Sequence, residues 1–548
     1  MTAEPGKKKL IEQFKADGLN FMFGNPGTVE QGFLDAADAA EDFRYILSLQ
    51  ETVAAGIADG YARATGGAAL LQLHSGVGLG NGIGMLYQSL RGHTPLVVVA
   101  GDAGVKYDVM DAQMASDLVA MARPVTKYAT RVTDPASVLR TVRRALKIAL
   151  TPPRGPVFVA LPMDVLDAPD PEPVVPTAVP RTDAAPSEAS IAQAAVLLAD
   201  ARRPLILAGD GVSTAGAQTE LTAVAELLGA DVWDVDYSEV TMAASHPLHR
   251  GATGHMFGEH SRELVRDADA VLVVGTYVFP EVFPELASPF ADGAAIVHID
   301  LNAYEIAKNH PVDLGIVADP KPALRALATS LERRLTAERR SAAAERLAVR
   351  TAERDRARAA FVRAGHDGTP IEAFLHALAE QTGGDLIVFD EALTSSPLVT
   401  AYLPPDRPGD YHVTRGGSLG VGIPGAIGAK LAHPDRTVVG FTGDGGSMYT
   451  YQALWTAARY GIAAKFVVCN NHKYRLLDDN IAQYWKERAI PEHSFPRSFD
   501  LSHPEIDFAS LARALGADGL RVEKPGQAAD AVRRMLAHPG PFLVDLQV

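Results

Sequence analysis

The sequence predicts an α/β protein with three doubly wound parallel sheets, and two observations support this. Short apolar runs rich in β-branched residues alternate with segments of helical spacing along the chain. Nearly all of these runs end in Gly, Asp, Asn, His or Ser. Continuous apolar strands separated by helices are typical of parallel sheets that are covered on both faces. Ligands bind such sheets at the carboxyl ends of the strands, where these polar residues are expected.

Two connecting segments divide the chain into domains. Residues 168–186 contain six prolines and no periodic pattern, which indicates an extended linker. Residues 321–365 are rich in Ala, Arg and Glu at helical spacing, which predicts a helical connection. We therefore expect an N-terminal domain over 1–180, a central domain over 187–340 and a C-terminal domain over 360–548.

The first and third domains contain a faint internal echo. Residues 85–102 and 448–471 each place a helix with a Tyr-Gln pair before an apolar strand with a polar end. The spacing within the two segments differs, so they are not a repeat. The echo predicts that the two domains share a topology.

Composition excludes several classes of protein. The 548 residues include 51 Lys and Arg against 66 Asp and Glu, a formal net charge of −15, which excludes a dedicated nucleic-acid binder or a polybasic membrane-docking protein. Cys469 is the single cysteine, so an intrachain disulfide and a cysteine-ligated metal site are excluded. No apolar run approaches the ~18 residues that span a bilayer, and the N-terminus lacks a signal-peptide pattern. We expect a cytoplasmic protein.

The strongest local motif lies in the third domain. A predicted strand ends in Gly443–Gly446, a helix is expected to follow, and the next strand ends in Asn470–Asn471. Strand ends of a right-handed βαβ unit meet at one sheet edge, so Asp444 and Asn471 can converge on one Mg²⁺. Backbone N–H groups at the start of a helix, here those of Gly445 and its neighbour, bind phosphate. Taken alone, GDGG also fits a tight turn, but the 27-residue interval between Asp444 and Asn471 makes the pair more specific.

This pairing resembles the diphosphate-binding signature of thiamine diphosphate enzymes. With it, essentially the whole chain resembles the 2-oxo acid decarboxylase branch of that superfamily, closest to the benzoylformate decarboxylases. The resemblance is densest in GNPGTVEQGFL, FRYILSLQETVAAGIADGYA and GDGGSMYTYQALWTAARYGI. It implies pyrimidine-binding, central and diphosphate-binding domains, with thiamine diphosphate and Mg²⁺ as cofactors. It also implies active sites between subunits, a dimer as the minimum and a homotetramer as the usual assembly.

The resemblance assigns roles to five residues. Glu51 would bond N1′ of the cofactor's aminopyrimidine, and His74 would transfer protons to and from substrate oxygens. Thr28 would bind the substrate carboxylate, Leu419 would support the bent cofactor, and the Gly417 carbonyl would accept from the 4′-amino group. Read without the resemblance, Glu51 is a first-turn glutamate favoured by the helix dipole, His74 a structural histidine and Leu419 a core residue.

The remaining implied residues form the metal and diphosphate sites. The implied metal ligands are Asp444, Asn471 and the Lys473 carbonyl. The implied diphosphate and cofactor contacts are Leu393, Thr394, Gly443, Asp444, Gly445, Gly446, Asn471 and Tyr474. Leu393 departs from the family pattern because it can offer only its backbone.

A second departure lies in the central domain, where the family carries another active-site histidine. Val282 replaces that histidine in the stretch 278–283. Weaker candidates also have ordinary structural explanations. Gln113 could lie near the site or on a helix surface. The basic group 472–475 could attract an anionic substrate or form a solvated turn. His255 and His260 could reach the pocket or be loop histidines.

Three functions follow from these assignments. The first is thiamine diphosphate- and Mg²⁺-dependent, non-oxidative decarboxylation of a benzoylformate-like 2-oxo acid to an aldehyde, through a C2-carbanion and enamine. The second is a carboligase or 2-hydroxyacyl lyase that resembles acetolactate synthase, benzaldehyde lyase or an acyl-CoA lyase, which the loss of histidine at Val282 favours slightly. The third, a non-enzymatic α/β scaffold, predicts damaged cofactor chemistry, whereas Glu51, Asp444 and Asn471 are all present.

Overall fold

The computed structural model describes residues 4–236, 238–366 and 368–548. It contains three parallel six-stranded sheets with flanking helices, which confirms the predicted fold class. By their contacts, the residues group into two units. Unit 1 comprises Met1–Pro180, Thr369–Ser396 and Thr414–Val548, and unit 2 comprises Arg181–Gly368 and Pro397–Val413. Within the described residues, no helix is both long and apolar enough to cross a membrane.

The first sheet has the strand order β2-β1-β3-β4-β6-β5. Its strands are β1 Phe21–Gly24, β2 Arg44–Leu47, β3 Ala69–Leu73, β4 Leu96–Asp102, β5 Tyr128–Arg131 and β6 Val157–Pro162. The helices of this part are α1 Gly6–Ala16, α2 Gln31–Asp38, α3 Glu51–Thr65, α4 Ser75–Arg91, α5 Leu118–Ala122, α6 Val138–Leu150 and α7 Met163–Asp167. Three 3₁₀ turns accompany them, at Val105–Met110, Arg123–Val125 and Pro135–Ser137.

The second sheet belongs to unit 2 and has the order β12-β11-β10-β7-β8-β9. Its strands are β7 Pro204–Ala208, β8 Asp231–Asp234, β9 His249–Ala252, β10 Ala270–Val274, β11 Ala295–Asp300 and β12 Leu314–Val317. The helices here are α8 Glu188–Ala199, α9 Asp210–Ala215, α10 Gln218–Leu228, α11 Gly258–Val265, α12 Pro320–Arg334 and α13 Ala337–Ala364. Residues 171–187 contain no helix or strand, as the proline-rich composition predicts, and α12 and α13 form the predicted helical connection.

The third sheet has the order β14-β13-β15-β16-β18-β17. Its strands are β13 Ile387–Glu391, β14 Tyr411–Val413, β15 Val438–Gly443, β16 Lys465–Asn470, β17 Asp518–Val522 and β18 Phe542–Gln547. Its helices are α14 Pro370–Thr382, α15 Ser396–Tyr402, α16 Gly422–Ala432, α17 Asp444–Ser447, α18 Ala453–Arg459, α19 Arg475–Glu487, α20 Phe508–Ala514 and α21 Ala528–Ala537. Further 3₁₀ turns lie at Leu393–Ser395, Arg497–Phe499 and Pro525–Gln527.

The first and third sheets share one topology. If the six strands of each sheet are numbered in chain order, both sheets read 2-1-3-4-6-5 from one edge to the other. The prediction made from the Tyr-Gln echo is thereby confirmed.

Glycines allow the two sheets of unit 1 to share one core. Helices α3 and α16 cross so closely that a Cβ atom on Gly60 would lie 2.1 Å from the Gly425 carbonyl oxygen. A Cβ atom on Gly428 would lie equally close to the Ile57 carbonyl oxygen. Larger residues at the crossing would force the helices apart. Because α3 begins at Glu51 and α16 follows the loop that carries Leu419, this crossing also fixes two segments that bear predicted site residues.

One expected helix is not continuous. The sequence predicts a helix over 448–460, but residues 448–452 form turns between the short α17 and α18. Tyr449 N–H donates to the Gly446 carbonyl and Thr450 N–H to the Ser447 carbonyl, which is the tighter i to i+3 pattern. The Thr450 hydroxyl donates to the Gly420 carbonyl at 2.6 Å, and the Tyr451 hydroxyl donates to the Phe508 carbonyl. These tertiary bonds compete with regular helix geometry.

Candidate active site

The predicted site residues lie at the carboxyl edges of the first and third sheets. Along the first sheet, strands β2, β1 and β3 are neighbours. They lead into Glu51, the loop that contains Thr28, and His74, respectively. Along the third sheet, β13, β15 and β16 are neighbours and lead into Leu393, Asp444 and Asn471. The topology thus collects the predicted residues into two groups.

Glu51 is a buried carboxylate held by two amides. Gln50 caps α3 by accepting from the N–H groups of Thr52 and Val53, which fixes where Glu51 leaves the strand. The Asn25 amide donates to Glu51 Oε1 at 3.2 Å, and the Asn81 amide donates to Oε2 at 2.9 Å. Sequence reasoning did not identify either asparagine. Asn25 follows the end of β1 and Asn81 lies on α4, so only the packing of the sheet and its helices brings them to Glu51.

Glu51 and His74 share a glycine between them. A Cβ atom on Gly78, in the first turn of α4, would lie 2.9 Å from Glu51 Oε1 and 3.2 Å from His74 Cβ. The small residue therefore lets both functional side chains approach the same helix. Thr28 is exposed on the loop after β1, where a ligand can reach its hydroxyl. Gln113, the weaker candidate, is also exposed.

His74 has a carboxylate partner that the sequence did not indicate. Its Nδ1 lies 2.9 Å from Oε2 of Glu30, and Glu30 Oε1 accepts the Gly101 N–H at 2.9 Å. Burial raises the pKa of Glu30 above the usual range, while its bonds to His74 and to the Gly101 N–H oppose that shift. Glu30 stands two residues after Thr28 in the GNPGTVE segment. Its place beside Thr28 could have drawn attention to it, but its pairing with His74 depends on β1 and β3 being neighbours in the sheet.

The metal motif converges as the strand geometry predicts. Gly443 is in register with Cys469, so Asp444 and Asn470 leave the sheet at the same level. The Lys473 N–H donates both to Asp444 Oδ2 at 3.1 Å and to Asn471 Oδ1 at 3.0 Å. One N–H therefore marks the point where the carboxylate and amide oxygens meet. Burial raises the pKa of Asp444, because desolvation disfavours the charged carboxylate.

The donor set fits Mg²⁺. Carboxylate, amide and carbonyl oxygens are the ligands that this hard cation accepts, with phosphate oxygens completing its shell. In the chain as it stands, the Lys473 carbonyl accepts the Arg475 N–H at 3.0 Å, and the oxygen keeps a second lone pair. Among the described residues there is no group of three or more His, Cys, Asp or Glu side chains suited to a metal.

Residues of the last strand, β18, hold the turn formed by Asn470 and Asn471 in place. Asp545 is completely buried, and its Oδ1 accepts from the Asn470 amide and the Gln547 amide, each at 3.0 Å. Its Oδ2 accepts from Arg521 Nε at 2.8 Å. His472 Nε2 then bonds Gln547 Oε1 at 2.7 Å. Of the two asparagines, the first is therefore held by the last strand, whereas the second accepts from the Lys473 N–H, as Asp444 does.

The basic group after the double Asn is largely engaged. His472 bonds Gln547, and Lys473 Nζ forms a 2.6 Å ion pair with Asp478. Tyr474 lies against the glycine turn, because a Cβ atom on Gly445 would fall 2.2 Å from its ring. Arg475 is exposed at the start of α19. Trp485, on the same helix, is buried and stacks on Phe495.

Glu391 organises the loop that carries Gly417 and Leu419. It is fully buried at the end of β13 and accepts the N–H groups of Gly420 and Gly422. The Thr442 hydroxyl also donates to it, at 3.1 Å. Burial raises the pKa of Glu391 to about 7. Leu419 is half-buried and Gly417 is exposed, so part of this anchored loop is open to solvent.

Leu393 adopts an unusual backbone conformation. Its φ of 49° lies in the left-handed region, which non-glycine residues seldom occupy. Leu393 and the exposed Thr394 begin a 3₁₀ turn. The first N–H groups of a helical turn have no acceptor within the turn, so they are available to other acceptors. Residues held in such sparsely populated backbone regions are often found at functional sites. The backbone can supply here what a leucine side chain cannot.

In unit 2, Val282 is half-exposed and has a histidine beside it. Its N–H donates to the carbonyl of His255 at 3.0 Å, and His255 Nδ1 pairs with Asp236 Oδ1 at 2.5 Å. The loss of histidine at 282 is therefore accompanied by an imidazole on the neighbouring segment. The glycine turn after β7 is closely packed, since a Cβ atom on Gly211 would lie 2.5 Å from Gly275 Cα.

Comparison with known proteins agrees with this arrangement. Three thiamine pyrophosphate enzyme models match the chain: the N-terminal TPP binding domain at 5–121, the central domain at 191–327 and the C-terminal TPP binding domain at 394–546. The chain is 30% identical to benzoylformate decarboxylase of Pseudomonas aeruginosa over 541 residues, covering 98% of this chain and 97% of that protein.

Two further relatives span the chain. The acetolactate synthase large subunit of Lactococcus lactis is 28% identical, with 99% of this chain and 92% of that protein covered. Among solved structures, the thiamine diphosphate-dependent 4-hydroxybenzoylformate decarboxylase of Rhodococcus jostii RHA1 superposes with a TM-score of 0.84 at 28% identity, covering 99% of both chains. The relatives thus include both decarboxylating and carboligating enzymes.

Proposed function

The chain belongs to the thiamine pyrophosphate enzymes, in the superfamily of 2-oxo acid decarboxylases and carboligases, and on that premise we propose a specific reaction. The reaction is the Mg²⁺-dependent, non-oxidative decarboxylation of a benzoylformate-like 2-oxo acid to an aldehyde. The observation that carries the proposal is the convergence of Asp444 and Asn471 on one N–H, together with an intact Glu51. These are the groups that the cofactor needs at its two ends.

In this proposal, Asp444, Asn471 and the Lys473 carbonyl hold Mg²⁺. The backbone N–H groups of the Gly445 turn and of the Leu393 turn bind the diphosphate. Tyr474 and Leu419 contact the cofactor through their side chains. When bound, thiamine diphosphate supplies the nucleophilic carbon and the electron sink for decarboxylation.

Three side chains of the first sheet then handle protons and substrate. Glu51, with each oxygen already fixed by an asparagine, exchanges a proton with N1′ of the pyrimidine ring. The Thr28 hydroxyl donates to the substrate carboxylate. His74 gives and takes protons at the substrate's oxygen atoms.

The test is Glu51→Gln, with Glu12→Gln on the exposed face of α1 as the matched control. We expect turnover of benzoylformate to CO₂ to fall at least about 100-fold in Glu51→Gln, since a positioned acid–base group contributes that much. Binding of thiamine diphosphate, measured by calorimetry, should change little. Unchanged CO₂ release in Glu51→Gln would refute the proposed role of this carboxylate.

Carboligation is the second candidate function, and Val282 is the observation that favours it. Without a histidine side chain, position 282 offers no imidazole to deliver the proton that aldehyde release requires, and this would favour bond formation to a second carbonyl. The His255–Asp236 pair beside Val282 weakens this argument, because it restores an imidazole to the same segment. Adding an acceptor aldehyde and identifying products by mass spectrometry separates the two functions: 2-hydroxy ketones indicate carboligation and free benzaldehyde indicates decarboxylation.

We also propose that a second copy of the chain covers the site and that the assembly is a homotetramer. Large apolar side chains next to the site residues are exposed in the single chain, including Val77, two residues after the start of α4, and Met448 and Tyr449 after the GDGG turn. Exposed apolar residues that cluster on one surface are typical of subunit interfaces. Light scattering of the purified protein tests the assembly. The cytoplasmic location stays a prediction.

A further inference from the structure

We infer that Glu30 is a positioning residue that holds the His74 imidazole with Nδ1 turned inward and Nε2 toward the ligand. What the imidazole is used for rests on the proposed function; its orientation does not. The inference starts from a contact between the first and third strands of the chain, at the edge where Thr28 and Glu51 also lie.

Both oxygens of the Glu30 carboxylate bond to groups inside the protein. Glu30 is buried, with 3% of its surface exposed. Its Oε1 accepts the Gly101 N–H at the end of β4, and its Oε2 lies 2.9 Å from His74 Nδ1. With Glu30 already accepting from the Gly101 N–H, we assign the hydrogen of the second bond to Nδ1, since an ionised carboxylate only accepts. Glu30 thereby links the ends of two neighbouring strands, β3 and β4, through one side chain.

One face of the His74 imidazole packs against Gly27. A Cβ atom at this position would lie 1.8 Å from His74 Nδ1 and 2.1 Å from Cγ. The ring therefore packs directly on the backbone of the loop that carries Thr28, and no larger residue fits there. With Glu30 at one edge and Gly27 against the face, the ring cannot turn over to exchange its two nitrogens.

The consequence is a fixed division of labour between the two nitrogens. Nδ1–H is committed to Glu30, so Nε2 is the atom left to accept or return a proton. The side chain of His74 is partly exposed, at 17%, so a ligand can approach the ring. A histidine without such a partner populates both neutral tautomers and rotates, and only a fraction of the molecules would then be ready to react.

The first test reads the tautomer directly and needs no turnover. Protein labelled with ¹⁵N-histidine is compared by long-range ¹H–¹⁵N NMR with Glu30→Ala and Glu30→Gln, and the His74 signals are assigned by their loss in His74→Asn. We expect His74 to carry its hydrogen on Nδ1 in the wild type and, in part of the population, in Glu30→Gln, whose single carbonyl oxygen can accept from either His74 or the Gly101 N–H. Glu30→Ala should shift most of the population to Nε2–H. A wild-type signal showing Nε2–H overturns the inference, whether or not the protein proves to be a decarboxylase.

The second test separates positioning from a purely structural role. We expect kcat to fall about 10- to 100-fold in Glu30→Ala, with KM and cofactor affinity nearly unchanged, and to recover partly in Glu30→Gln. The double variant Glu30→Ala/His74→Ala should be no slower than His74→Ala alone, because Glu30 acts through His74. Additive losses contradict the inference.

Two further variants guard against a folding artefact. Gly27→Ala should displace the ring, with loss of the Nδ1–H signal and of kcat, while leaving Glu30 in place. Asp59→Asn removes a different buried carboxylate, which accepts from Ser89 within the same unit, and should lower stability without changing kcat. If Asp59→Asn lowers kcat as much as Glu30→Ala does, the effect is structural and the inference fails.

Discussion

Asp444 and Asn471 accept from the same backbone N–H, that of Lys473, at 3.1 and 3.0 Å. Two side-chain oxygens 27 positions apart thus meet at a point defined by one donor. The Mg²⁺ site proposed above is built on this pair of oxygens. The relationship makes the role of the pair directly testable.

Removing the carboxylate of Asp444 should abolish productive cofactor binding. We expect Asp444→Ala to weaken Mg²⁺-dependent binding of thiamine diphosphate by about 100-fold or more, since loss of even an outer partner of a metal ligand costs about 10- to 100-fold. Calorimetric titration in the presence and absence of Mg²⁺ measures this. Asp435→Asn, at an exposed position of the same unit, is the control. Equal affinities for Asp444→Ala and wild type would remove Asp444 from the metal site.

The hydrogen bonds of Gln547 should affect Mg²⁺ binding, although Gln547 is not a proposed metal ligand. Gln547 bonds both Asp545 and His472, so Gln547→Ala frees the turn that precedes Lys473. We expect about a 10-fold loss of Mg²⁺ affinity with little change in thermal stability. The affinity is measured by calorimetry with thiamine diphosphate present. Gln381→Ala is the matched control, because Gln381 also bonds within unit 1, to the Ala529 carbonyl. A similar loss in both variants would point to general destabilisation.

Glu391 should make stability depend on pH. Burial raises the pKa of this carboxyl from 4.5 to about 7, so between these values the folded protein keeps a proton that the unfolded chain has lost. Its contribution to stability is therefore fully present below pH 4.5 and is lost as the pH rises through 7. Relative to Glu391→Gln, which does not titrate, the wild type should lose about 2–3 kcal/mol between pH 5 and pH 8.5. Urea unfolding at both pH values measures this, and parallel pH profiles would contradict it.

The left-handed backbone of Leu393 should be tolerated best by glycine. Leu393→Ala keeps the strain and removes the side chain, whereas Leu393→Gly removes both. We expect the glycine variant to be more stable than the alanine variant by about 1 kcal/mol. Both should bind thiamine diphosphate about as well as the wild type, because only the backbone is proposed to contact the diphosphate. A large loss of affinity in both variants would show that the leucine side chain is needed.

Much of the fold and part of the site followed from local sequence. Apolar runs of strand length predicted parallel sheets, and polar residues at their ends predicted where ligands bind. The meeting of Asp444 and Asn471 could be expected because they end two strands of one βαβ unit, whose handedness is fixed. The resemblance supplied Glu51, His74 and Thr28, whose roles stay predictions.

The sequence could not show which partners hold these residues. Glu30 is 44 positions from His74, and Gln547 is 75 positions from His472, so each contact depends on the order of strands within a sheet. The interruption of the helix after Gly446 likewise depends on bonds from Thr450 and Tyr451 to distant carbonyls. Local patterns of hydrophobicity and turn residues determine which strands and helices form, because those preferences act over a few neighbours. Only the packed tertiary structure decides which side chains lie within bonding distance, because strand order and helix crossing bring together residues far apart in the chain.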